Sequence, residues 1–65
     1  MTLDEFRALK KGDRIRNAMS NSAGVVIAAN EFRNNHVVVS IQWDGTTMPT
    51  AFNNVSTAWM HWSKE

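Results

Sequence analysis

The sequence predicts a mainly β fold, a five-stranded small barrel preceded by a short N-terminal helix. Residues 36–43 alternate between two sets of side chains, and one set is entirely apolar, as a half-buried strand requires. The hairpin signal Asp44-Gly45 follows directly. Before Gly12 the apolar residues recur at helical spacing, whereas after it they recur at every second position. With 65 residues and no cysteine, one domain must be stabilised by its core or by self-association.

The helix is predicted over residues 3–10. Thr2 and Glu5 match a capping box, and Gly12 is placed to end the helix. The apolar stripe of this helix consists of Leu3, Phe6 and Leu9. So short a helix is unstable alone in water, so its stripe must pack against the sheet.

Five strands account for most of the remaining chain. The second strand has Val25, Ile27 and Ala29 on one face. Pro49 places the fourth strand at a sheet edge or a bulge, because proline donates no ladder hydrogen bond. A tight turn, or one turn of 3₁₀-helix, is expected over residues 53–56. The strands are predicted at residues 13–17, 23–31, 36–43, 46–52 and 57–62.

Several short motifs carry a resemblance to known small barrels. The stretch LKKGDRIR, residues 9–16, resembles the entry of SH3-like barrels, in which G-D-x-[IV] begins the first strand. Gly24-Val25-Val26 resembles the start of their second strand, and Val37 to Asp44 resembles the third strand entering its hairpin. The resemblance covers about residues 9–62 and is shared with KOW and Tudor-type modules and with type II dihydrofolate reductases. It implies the fold, because one small barrel hosts many functions.

The functional motifs of those families are not matched. Residues 46–50 do not resemble the V-Q-I-Y stretch of the reductases, so no catalytic residue is carried over. The chain has no tyrosine for a methyl-lysine cage, and the loop over residues 18–24 carries no charge, unlike the basic loop of KOW modules.

The charged residues offer one candidate binding surface. The net charge is only +1, which gives no support to binding through phosphates, yet five cations accompany the single acid Asp13 between Arg7 and Arg16. This segment is either a solvated face or a binding site. The candidate nucleic-acid or partner-binding residues are Lys10, Lys11, Arg14, Arg16, Arg33 and Trp59.

The tryptophans have different predicted roles. In a strand over residues 57–62, Trp59 and Trp62 face opposite sides, and we expect Trp59 to be exposed as a stacking platform or a partner anchor. The alternative is that Trp59 packs under the N-terminal helix. Trp43 shares the apolar face of the third strand, so we expect it to plug the rim of the core.

These observations favour a non-catalytic binding module, an accessory in a nucleic-acid-handling complex, of a size that suits a phage or another mobile element. The alternatives are a protein–protein adaptor, a homo-oligomer subunit and, more remotely, a reductase-like oligomer that shares its site between chains. No nucleophile motif, phosphate loop or metal-ligand spacing is present, so we expect no catalytic residue, cofactor or metal. His36 and His61 are expected on outer faces of the sheet. Without a signal peptide or an apolar span, we expect a cytoplasmic protein and no membrane partner.

Overall fold

A computed structural model describes residues 1–65 and contains one five-stranded antiparallel sheet. The strand order is β4-β3-β2-β1-β5, which is compatible with a small barrel-like fold. The predicted mainly β class with a short N-terminal helix is confirmed. The elements in chain order are α1 (Leu3–Arg7), β1 (Arg14–Asn17), β2 (Ser22–Arg33), β3 (His36–Trp43), β4 (Thr50–Asn53), the 3₁₀-helix η1 (Ala58–His61) and β5 (Trp62–Lys64).

The helix α1 begins at the predicted capping box. The Glu5 N–H donates to Thr2 Oγ1 at 3.2 Å, and the Thr2 N–H donates to Glu5 Oε1 at 2.8 Å. The helix ends at Arg7 rather than at residue 10. The Lys10 N–H donates to the Asp13 carboxylate at 3.0 Å, so a turn closed by this side chain replaces the last predicted helical turn.

Strand β2 contains irregularities that reverse its side-chain alternation. Its register with β3 shifts between Val26 and Ala28, as a β-bulge produces. Before the shift Val26 faces the core and Ile27, 36% exposed, lies on the other face, whereas after it Ala29 packs against the core. The prediction that Val25, Ile27 and Ala29 share one face is wrong, because it assumed an uninterrupted strand.

The C-terminal third differs most from its predicted boundaries. Strand β4 begins at Thr50, just after Pro49, and lies at a sheet edge as the proline predicted. The predicted tight turn over residues 53–56 is present, since the Ser56 N–H donates to the Asn53 carbonyl at 3.1 Å, but the 3₁₀-helix lies over Ala58–His61. The predicted strand over residues 57–62 is therefore wrong, and β5 begins only at Trp62.

The core lies between α1, η1 and the inner face of the sheet. Trp62 is in its centre, with ring centroids 4.8 Å from Phe52 and 6.1 Å from Phe6. Trp43 is half-buried and packs edge-on against Trp62 at 5.7 Å, which agrees with its predicted position at the rim of the core. The buried cluster consists of Phe6, Leu9, Ile15, Val26, Val37, Val39, Ile41, Trp59 and Trp62.

No helix of the chain is both long enough and apolar enough to cross a membrane.

Candidate functional site

Two of the predicted binding cations, Arg14 and Arg16, are engaged within the protein. The Arg14 guanidinium donates to both carboxylate oxygens of Asp44, at 2.8 and 3.3 Å. This hydrogen-bonded pair holds the pKa of Asp44 below its ordinary value. Arg16 donates to the Asn21 side chain at 3.2 Å, and its guanidinium lies 3.7 Å from Glu65. Both arginines remain exposed on β1, but the carboxylates of Asp44 and Glu65 partly balance their charges within the protein.

The other predicted cations occupy two different places. Lys10 and Lys11 are exposed in the turn before β1 and form no ion pair. Arg33 is at the end of β2, opposite His36 in the ladder with β3, whereas Arg14 pairs with Val25 near the start of β2. The six candidate residues therefore do not form one continuous surface.

The expected exposure of Trp59 is wrong. Its side chain is 7% exposed and stacks on Phe6 with ring centroids 5.2 Å apart and planes 28° apart. The 3₁₀ geometry of η1 breaks the two-residue alternation, so Trp59 and Trp62 both face the core. The alternative of packing under the N-terminal helix is correct, and Trp59 cannot act as a stacking platform in this fold.

The two histidines do not take part in a metal-binding cluster. His61 is exposed at the end of η1, where its carbonyl accepts the Ala18 N–H at 2.9 Å. His36 is half-buried at the start of β3. Nowhere in the chain do three potential metal-ligating side chains come together.

A surface cleft lies between the β2–β3 hairpin and β4. Its volume is about 220 Å³. Val38 lines it and is 6% exposed, although this valine lies outside the buried core cluster. The lining residues are Arg33, Asn34, His36, Val38, Ala51, Phe52 and Asn53.

The cleft combines an apolar floor with a polar rim. Arg33 makes no ion pair, and no carboxylate lines the cleft. Asn53 Oδ1 accepts the N–H groups of Val55 and Ser56, which fixes this amide at the rim. Phe32, next to Arg33, is 74% exposed at the end of the same hairpin.

Val38 was the residue that sequence reasoning missed. Alternation along β3 assigned it to the outer face with His36, Ser40 and Gln42, which are polar. A valine among these residues was the available signal, since an apolar side chain on a polar face requires a cover of its own.

Neither a protein-family model, a curated protein nor a solved structure matches this chain. Its function is therefore argued from the geometry of the cleft and of the charged residues.

Proposed function

We propose that the chain is a non-catalytic binding module that recognises a protein partner through the cleft between the β2–β3 hairpin and β4. The observation that carries this proposal is Val38, an apolar side chain buried on the outer face of the sheet and outside the core. An apolar floor surrounded by a few polar groups is the usual arrangement of a recognition site. The same proposal includes the fold: we take the sheet to form the SH3-like barrel that the sequence motifs imply.

The size and chemistry of the cleft favour a macromolecular partner. Pockets for whole small molecules usually measure about 300–1,000 Å³. This cleft, at about 220 Å³, has room for a few side chains of a larger partner. Its lining offers the His36 imidazole and the Arg33 guanidinium but no hydroxyl, thiol or carboxylate to act beside them. These groups support binding rather than covalent or acid–base catalysis.

A nucleic-acid partner is the second candidate function. It is favoured by Lys10 and Lys11, which project from the turn before β1 without ion pairs. It ranks second because Arg14 is already paired with Asp44 and because Trp59 is buried. Such binding would rest on a few phosphate contacts.

Selection from a random peptide library displayed on phage tests the first proposal. The full chain is immobilised, and enriched peptides are synthesised and titrated into ¹⁵N-labelled protein. We expect related sequences to be enriched and to shift the amides of His36, Val38 and Ala51. Failure to enrich any peptide, or shifts confined to other surfaces, refutes the proposal. Sedimentation of the free chain shows whether it self-associates before a partner is added.

A labelled single-stranded DNA and a labelled RNA test the second candidate in anisotropy titrations at several salt concentrations. Nucleic-acid binding predicts affinity that falls steeply with salt and weakens in the double variant Lys10→Gln, Lys11→Gln. Each single variant, Lys10→Gln or Lys11→Gln, is compared with Arg33→Gln, which removes one charge from the other end of the sheet. If neither oligonucleotide binds at low salt, this candidate is excluded.

A further inference from the structure

We infer that the cleft takes an extended, acidic peptide segment in which an aliphatic residue is two positions from an aspartate or glutamate, so that both side chains project from the same face. This inference rests on the proposed function and specifies the chemistry of its partner. Three features of the cleft support it, namely an unpaired cation, an apolar floor and the free edge of β4.

The unpaired cation is Arg33. The two arginines of β1 are within ion-pair distance of Asp44 and Glu65, whereas no acid is within that distance of Arg33. Glu31 is on the same strand, opposite Val38 in the ladder, but it neither lines the cleft nor pairs with Arg33. A carboxylate from a partner can therefore form the bidentate hydrogen bonds that a guanidinium favours.

The apolar floor supplies the second contact. Val38, Ala51 and Phe52 are the hydrophobic residues that line the cleft. Val38 is only 6% exposed and the Phe52 ring packs on Trp62, so the apolar surface that is still open belongs mainly to the exposed Ala51. An aliphatic side chain of the partner can cover it. The cleft volume of about 220 Å³ limits this contact to a few side chains of the partner.

The edge of β4 offers backbone hydrogen bonds beside these two contacts. The Asn54 N–H donates to the Val37 carbonyl, and Phe52 is opposite Val39 in the ladder. In an antiparallel pair the residues alternate, so the backbone of Phe52 faces β3 and that of Ala51 faces the free edge. An extended segment along this edge can bond to Ala51 while its side chains reach the cleft.

The probe is the blocked peptide acetyl-Thr-Leu-Thr-Asp-Thr-amide, whose Leu and Asp project from the same face when it is extended; it is titrated into the ¹⁵N-labelled chain. We expect the amide chemical shifts of His36, Val38 and Ala51 to change. The variant Arg33→Gln is expected to bind about tenfold more weakly, because one charge-assisted interaction is lost. The peptide acetyl-Thr-Leu-Thr-Asn-Thr-amide, which lacks only the carboxylate, is expected to bind about tenfold more weakly as well. Arg7→Gln is the matched control, since Arg7 is an exposed arginine without an ion pair on α1. This variant is expected to bind as the wild type does.

Three results overturn the inference: no binding of the aspartate peptide, equal binding of the asparagine peptide, or equal weakening by Arg7→Gln and Arg33→Gln. Amide spectra of both variants establish that each is folded before it is compared. The proposed function has a separate outcome. If display selection enriches neutral peptides that bind in the cleft, the protein-binding proposal stands and the preference for acidic segments is wrong.

Discussion

Replacing Trp59 by alanine removes an indole that is 7% exposed and stacks on Phe6 at 5.2 Å. Large-to-small aromatic replacements in protein cores cost about 3–5 kcal/mol. At about 0.05–0.15 kcal/mol per residue, a domain of this length has a free energy of unfolding of about 3–10 kcal/mol in total. Trp59→Ala is therefore expected to lose a large share of its stability and to be partly unfolded in the absence of denaturant.

Trp59→Phe gives a graded version of the same test. A phenyl ring keeps the stack on Phe6, and no protein group accepts a hydrogen bond from the buried Trp59 Nε1, so only apolar contacts are lost. We expect a cost of about 1–2 kcal/mol. Met60→Ala is the control, because Met60 is the next residue of η1 and is 54% exposed; its expected change is within about 0.5 kcal/mol.

Urea unfolding followed by circular dichroism measures all three variants without depending on tryptophan fluorescence. The expected order of stability is wild type and Met60→Ala, then Trp59→Phe, then Trp59→Ala. A loss below about 1 kcal/mol for Trp59→Ala would refute the reasoning, since a core indole cannot be removed so cheaply. The exposed platform expected from strand alternation would then describe Trp59 better.

Three further substitutions test other parts of the structure. Gly24→Ala is expected to lower the free energy of unfolding by about 1–3 kcal/mol, because the added Cβ would lie 2.9 Å from the Gln42 carbonyl oxygen. Thermal unfolding measures this loss, and an unchanged melting temperature would contradict the close approach. The hydrogen bonds from Arg14 lower the pKa of Asp44 below its ordinary value of 3.8, so the pair stabilises the fold above that pH and is lost as pH falls through the lowered pKa. The wild type is therefore expected to lose more stability than Asp44→Asn in urea titrations between about pH 5 and pH 2, and parallel curves would show that the pair contributes nothing. Thr2→Ala is expected to cost about 1 kcal/mol in urea unfolding, because the capping hydrogen bond at the start of α1 is lost; Thr2→Ser, which keeps the hydroxyl, should remain close to wild type.

Local signals in the sequence were sufficient for the elements that depend on local chemistry. The capping box at Thr2 and Glu5 and the bounds of β3 agree with the structure, because each depends on neighbouring residues alone. The edge position of β4 is one of the two alternatives that Pro49 indicated, although Pro49 itself precedes the strand.

The errors arose where an irregularity interrupts a regular alternation. The register shift after Val26 and the 3₁₀ geometry over Ala58–His61 each change which residues face the core. Both depend on how the strands meet in three dimensions, and neither has a strong sequence signal of its own. A single such interruption reversed the predicted orientation of Trp59 and with it the proposed stacking platform.

The cations show the same dependence on tertiary structure. Asp44 was assigned only to a hairpin turn, yet the fold brings it 2.8 Å from Arg14, whose charge had been counted as available for a partner. Contacts between residues far apart in sequence therefore decide which charges are free, and a run of cations overstates the basic surface.

These contacts also explain why the proposed site moves from the basic segment to the cleft. Trp59 contributes to the core, and Arg14 is paired with Asp44, so the fold already gives both a structural role. Val38 and Arg33 differ, because one is buried outside the core and the other has no ion-pair partner, yet both line the same cleft. A partner that supplies a carboxylate can pair with Arg33 while an apolar group of the same partner fills the cleft beside Val38.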